Sequence, residues 1–116
     1  MTLLRVVTSP DAVNQVRDAL VASGIVGMTV TDVQGTSSSH RQQMHYRGTT
    51  YAVSFVPRAE LQIVLPDAQV GDAINEIMEV TRHDMLGDGR IYVIPVERSY
   101  TIRAGELEFD DEVLWV

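Results

Sequence analysis

The chain carries one hydrophobic pattern twice. Val6-Val7-Thr8-Ser9 runs into Pro10-Asp11-Ala12, and Ile63-Val64-Leu65 runs into Pro66-Asp67-Ala68. Each time a β-branched stretch stops at a proline, whose fixed φ suits the first turn of a helix, followed by an aspartate that complements the positive end of the helix dipole. Apolar residues then recur at three- and four-residue spacing: Val13, Val16 and Leu20 in the first half, and Val70, Ile74, Ile77 and Met78 in the second. This spacing predicts two amphipathic helices of about three turns each. Gly24 is placed to end the first helix, and residues 25–33 read as a strand with Met28 and Val30 on one face and Thr29 and Thr31 on the other. The second helix runs out near Thr81, Gly87-Asp88-Gly89 supplies turn chemistry, and residues 90–96 read as a strand.

Two β-α-β units in tandem, each too small to bury its own helix, most simply share one four-stranded antiparallel sheet with both helices on one face. The expected class is therefore α+β, a ferredoxin-like double βαβ. Residues around Tyr100 and Ile102 predict one more short extended segment. Apolar positions on the sheet's other face predict burial by oligomerisation. Residues 35–50 are polar, contain Ser37-Ser38-Ser39 and several arginines and histidines, and show no apolar periodicity. They read as a long mobile loop, and loops of this length inside a small domain usually carry function.

Composition narrows the chemistry. The 116 residues suit a single domain spanning 1–116, with 45% apolar and 22% charged positions typical of a folded chain. No apolar run approaches the roughly 18 residues that cross a bilayer, and the N-terminal residues lack a secretory pattern, so no membrane insertion and a cytoplasmic location are expected. Cysteine is absent, which excludes disulfides, thiolate metal sites and thiol nucleophiles. All nine basic residues are arginines, which excludes lysine Schiff bases and favours planar recognition of phosphate or carboxylate. The formal net charge of −7 argues against nucleic acid as a partner. Glu106, Glu108, Asp110, Asp111 and Glu112 concentrate that acidity just before the apolar ending Val113-Leu114-Trp115-Val116, and residues 107–116 read as an acidic, apolar tail.

The acidic residues show no pairing that suits acid/base catalysis, and His40, His45 and His83 show no metal-ligand spacing. Neither a P-loop nor a nucleophile elbow nor a dinucleotide fingerprint occurs. No catalytic residue and no resident metal are expected. Gly87-Asp88-Gly89-Arg90 stands out, with Arg98 and Arg103 on the following segment. Glycines let backbone N–H groups approach an anion and guanidinium groups neutralise it, so the cluster reads as a phosphate cradle, against the simpler reading of a tight turn.

From about residue 3 to Glu106 the chain resembles the PII signal-transduction, or nitrogen-regulatory, family. The resemblance is carried in order by Val16-Arg17-Asp18-Ala19-Leu20, Gly27-Met28-Thr29-Val30-Thr31-Asp32-Val33-Gln34-Gly35, Tyr46-Arg47-Gly48-Thr49-Thr50-Tyr51, Gly87-Asp88-Gly89-Arg90-Ile91-Tyr92-Val93, Pro95-Val96-Glu97-Arg98 and Ile102-Arg103-Ala104-Gly105-Glu106. It implies a homotrimer that binds an adenine nucleotide, ATP, ADP or AMP, in clefts between subunits, with magnesium only alongside ATP. By this similarity the base would lie against Gly27, Met28, Thr29 and Val64, and the phosphates against Gly87, Asp88, Gly89, Arg90 and Arg103, with Val7 and Gly35 completing the wall. Tyr51 matches a loop tyrosine that is uridylylated or adenylylated in some bacteria.

The departures from the pattern bear on specificity. Thr101 stands where a basic residue is common, Arg58 and Ser9 where lysines are common, Ser39 where a glutamine helps hold magnesium, and Gln62 where a glutamate is common. The loss of charge-assisted contacts implies that ADP or AMP competes well with ATP, and it weakens the link to 2-oxoglutarate, whose family contact falls at Arg58. The resemblance implies a non-enzymatic regulator that controls a membrane transporter or a metabolic enzyme through residues 35–50. Two alternatives stand beside it: a PII-like regulator of bicarbonate or other solute transport that does not respond to 2-oxoglutarate, and a slow nucleotide hydrolase using the same cleft.

Overall fold

The alternation of β1 (Thr2–Thr8) is complete: Thr2, Leu4, Val6 and Thr8 are buried, and the residues between them are half-buried. Such a strand has one face against a core and another only partly covered. The computed structural model describes residues 1–25, 27–36, 44–46, 49–51, 55–82 and 89–102, and of 44–46 and 49–51 the backbone only. After β1, a 3-10 turn (Pro10–Ala12) leads into α1 (Val13–Ala22). Then come β2 (Thr29–Gly35), β3 (Met44–Tyr46), β4 (Thr49–Tyr51), β5 (Val56–Leu65), α2 (Asp67–Thr81) and β6 (Arg90–Pro95).

The main sheet has the order β2-β5-β1-β6, and every pairing is antiparallel. Its core joins Leu4 and Val6 of β1 and Leu61, Ile63 and Leu65 of β5 to Val16 and Leu20 of α1 and to Ala73 and Ile77 of α2. Both helices therefore cover the same face, as the repeated pattern predicts, and the fold is the ferredoxin-like double βαβ. No helix among the described residues is long and apolar enough to cross a membrane.

Local chemistry explains the helix ends. Gly24 has φ +87°, and the N–H groups of Gly24 and Ile25 donate to the carbonyls of Val21 and Leu20 at 2.9 Å each. This closes α1 with a glycine C-cap and brings buried Ile25 against buried Leu20. Ile25 is thus spent on the helix end, and β2 starts at Thr29, four residues later than the sequence pattern suggests. At the start of α2, Thr2 Oγ1 donates to Asp67 Oδ1 at 2.7 Å, and the Met1 amino group lies 2.7 Å from the same oxygen. The α1 terminus is tied to α2 where the Ser23 hydroxyl donates to the Glu76 carboxylate.

Three further details differ from the sequence pattern. The helix α2 has 15 residues, so it is a turn longer than its apolar spacing implied. Met78 is 53% exposed; Ala73 and Ile77 carry the buried face of α2 and Val70, Ile74 and Val80 pack beside them. The 35–50 stretch is not irregular throughout. Its latter part holds β3, which pairs antiparallel with β4 in the register Met44↔Tyr51, His45↔Thr50 and Tyr46↔Thr49. Consecutive threonines and a tyrosine suit such a ribbon. Tyr100 forms an isolated bridge, and the residues after Ile102, over which the further extended segment would continue, lie outside the described residues.

Candidate functional site

The face of the sheet away from the helices is ruled by register. One row across it runs Thr31 (β2), Glu60 (β5), Val7 (β1), Arg90 (β6); the next runs Thr29, Gln62, Arg5, Tyr92; a third joins Val64, Leu3 and Ile94. Arg5 Nε and Glu60 Oε1 form a diagonal ion pair at 3.0 Å between the first two rows. Leu3, Val7 and Ile94 are half-buried and Tyr92 is 48% exposed, so this face presents apolar groups around a charged pair.

The residues singled out from sequence fall into two groups on this face. Val64, 8% exposed, and Thr29 occupy one region, with buried Gly27 just ahead of them in the chain, whereas Met28 packs against the core on the helix side. Val7, Gly89 and Arg90 occupy another, because Arg90 sits directly opposite Val7. Val64 and Arg90 are two strands and two rows of this face apart, about 16 Å by standard sheet spacings. One chain does not bring the two groups together.

At the second group the backbone comes unusually close. A β-carbon at Gly89 would stand 3.2 Å from the Val7 carbonyl oxygen, so glycine is what lets the start of β6 lie against the end of β1. This packing accounts for the glycine, and Arg90 follows it as the first residue of β6. Gly35, the last residue of β2, pairs with Val56, and its missing side chain is matched by Arg58, whose Cγ would lie 3.5 Å from a β-carbon there. Arg58 is 5% exposed, so it stands at the root of the 35–50 stretch as a buried cation. Thr101 is half-buried after β6. Gly87, Asp88, Arg103 and Ser39 lie outside the described residues, and Tyr51 is described only as the last backbone position of β4. Among the described residues no cluster of His, Asp and Glu is arranged to hold a metal ion.

One feature escaped the sequence pattern. A cleft of about 620 Å³ opens between α2 and β6, lined by Thr8, Met78, Arg82, Gly89, Arg90 and Ile91 among others. Thr8 is 1% exposed, and its hydroxyl has no hydrogen-bond partner among the described residues. The only sequence signal was Met78, which the helical spacing assigned to the core.

The family model for nitrogen regulatory protein P-II matches residues 1–106. The chain belongs to this family. It is similar to nitrogen regulatory protein P-II of Cereibacter sphaeroides, 36% identical over 106 residues that cover 91% of this chain and 95% of that one. The P-II protein of Pasteurella multocida is 40% identical and that of Nostoc punctiforme 38%, each over the same shares of the two chains. Membership makes the chain a regulatory protein of the P-II type, on the ferredoxin-like scaffold described above. Residues 107–116 lie beyond the matched region.

Proposed function

We propose that the chain is a non-enzymatic cytoplasmic regulator that works as a homotrimer, binds an adenine nucleotide in the clefts between subunits, and controls a transporter or metabolic enzyme through residues 35–50. The observation that carries this reading is the separation of the two site groups on one sheet face. Copying the chain around a threefold axis can set the Val64 and Thr29 region of one subunit against the Gly89 and Arg90 region of the next, a closed symmetry that also covers Leu3, Tyr92 and Ile94. The groups present fit the ligand: an apolar slot for a flat base, then a close-lying backbone and guanidinium groups for charge. Magnesium would come with ATP. Tyr51 is the candidate for covalent modification.

A second reading, control of bicarbonate or other solute transport without response to 2-oxoglutarate, is favoured by Arg58. Its near-complete burial beside Gly35 suits a fixed structural cation better than an open contact for a dicarboxylate. Thermal-shift and calorimetric titration with AMP, ADP, ATP, cyclic nucleotides, 2-oxoglutarate and bicarbonate tests both readings. Stabilisation by ADP or AMP at least comparable to that by ATP, with no synergy from 2-oxoglutarate, is the expected result. Much tighter ATP binding with strong 2-oxoglutarate synergy would overturn the second reading. No response to any nucleotide would overturn the first, and sustained phosphate release from ATP would replace it with a hydrolase.

A further inference from the structure

The middle of the open sheet face carries two charges among apolar neighbours. In its three rows the inner strands β5 and β1 present Glu60, Gln62 and Val64 beside Val7, Arg5 and Leu3, so Arg5 and Glu60 are the only charged positions there. Arg58 lies one row beyond and is itself buried. Arg5 stands between Leu3 and Val7 along β1 and opposite Tyr92 of β6. Its Nε is shielded from solvent 3.0 Å from Glu60 Oε1, a charge contact without the alignment of a hydrogen bond. The rest of the pair is open: the Arg5 side chain is 41% exposed and that of Glu60 22%. In a single chain such a pair contributes little, because water solvates and screens both groups. Beneath a second protein surface the water is gone, and a guanidinium without its carboxylate is then costly.

We infer that the Arg5–Glu60 pair is what lets this face be buried by further copies of the chain: the two charges are matched within one subunit before assembly. The inference rests on the proposed homotrimer and names the residues that permit its closure. Because the charges are already matched, the face asks its occupant for apolar area and not for a countercharge. Leu3, Tyr92 and Ile94 on a copy of the same face supply such area, and a closed ring gives each subunit the same contact. A copy also brings the half of the candidate site that one chain holds too far away, which a partner of another kind does not. Glu60 and Arg5 are positioning residues in this scheme, since neither is asked to touch a ligand.

The test compares the full chain, without ligand, with Glu60→Gln, which leaves Arg5 unmatched, and with the double variant Arg5→Met/Glu60→Gln, which has no charge left to bury. Arg17→Gln is the control, because it breaks an ion pair with Asp18 on α1 whose side chains are 53% and 72% exposed. Circular dichroism verifies folding, and light scattering after gel filtration across a urea series finds where the assembly comes apart. Wild type should be a trimer without urea. The Glu60→Gln trimer should give way at a urea concentration lower by about 1 M or more, the double variant should recover most of that loss, and Arg17→Gln should match wild type. A wild type smaller than a trimer would overturn the assembly reading and this inference with it. A trimeric wild type that Glu60→Gln matches in urea would overturn this inference alone. So would a double variant as weak as Glu60→Gln, or an equal loss in Arg17→Gln.

Discussion

Gly89 and Val7 lie so close that an ideal β-carbon at 89 would stand 3.2 Å from the carbonyl oxygen of 7, a contact that a side chain could occupy only if its neighbour gave way by a few tenths of an ångström. The oxygen belongs to a strand paired on both sides, so it yields little. Gly89→Ala should therefore lower stability by about 1 kcal/mol, the lower range for overpacking, as a reduced midpoint in urea unfolding. An unchanged midpoint would mean that β6 shifts freely at its start.

Arg90 shares its row with Val7 and stands beside that approach. If it neutralises a nucleotide phosphate, Arg90→Ala should weaken ADP binding roughly ten- to a hundredfold, the loss of one charge-assisted contact, and Arg90→Lys should fall between. Isothermal calorimetry reads both. Equal affinities for wild type and Arg90→Ala would remove this residue from the site.

Tyr92 lies on the uncovered sheet face, between Ile94 and Arg90, and is 48% exposed in the single chain. Tyr92→Glu should leave the fold intact while placing a carboxylate where a neighbouring subunit would pack. Light scattering after gel filtration should then report a trimer for the wild type and smaller species for the variant. A trimer in both would locate the assembly surface elsewhere.

Leu61 and Met78 are both large apolar residues, yet Leu61 is fully buried and Met78 more than half exposed. Leu61→Ala should cost about 2–5 kcal/mol through lost burial and a residual cavity. Met78→Ala should stay within about 0.5 kcal/mol, as surface changes do. Comparable losses for the two would return Met78 to the core.

The Met1 amino group first, and the Thr2 hydroxyl second, hold the Asp67 carboxyl below the usual carboxylate range. A depressed folded-state pKa contributes stability that is present above the unfolded value, near 3.8, and is lost as the pH falls through the folded value. Asp67→Asn should therefore show its deficit at neutral pH and converge with wild type as the pH falls through the depressed folded-state value. The gap will be small, because Asp67 is 75% exposed and solvent screens the pair. Acid titration of thermal midpoints for the two proteins checks the convergence.

Much of the fold was legible because its signals are local. The alternation of β1, the spacing of Val13, Val16 and Leu20, Pro-Asp-Ala at both helix starts and Gly24 at the first helix end each act within a few residues. Where local signals competed, the sequence misled: Ile25 looked like a strand residue and serves the helix cap, and Met78 fits the helical spacing but lies at the margin of the face that packs. The candidate site was legible in residue type and not in placement. Gly89 and Arg90 were readable as an anion site, but nothing near them in sequence shows that Val7 lies opposite or that Val64 lies two strands away.

The sequence by itself determined the two helices and the four strands of the main sheet, the double βαβ order and the membership in the P-II family, since periodicity, caps and motifs are properties of neighbouring residues. Only the tertiary structure decided which residues share a row. Pairings such as Thr2 with Leu65 and Val7 with Arg90 join distant positions, and register is set by how two strands and their helices pack as a body. The same packing decided that Thr8 buries a hydroxyl beside an open cleft, that Arg58 sits against Gly35, and that one chain holds the two halves of its candidate site apart.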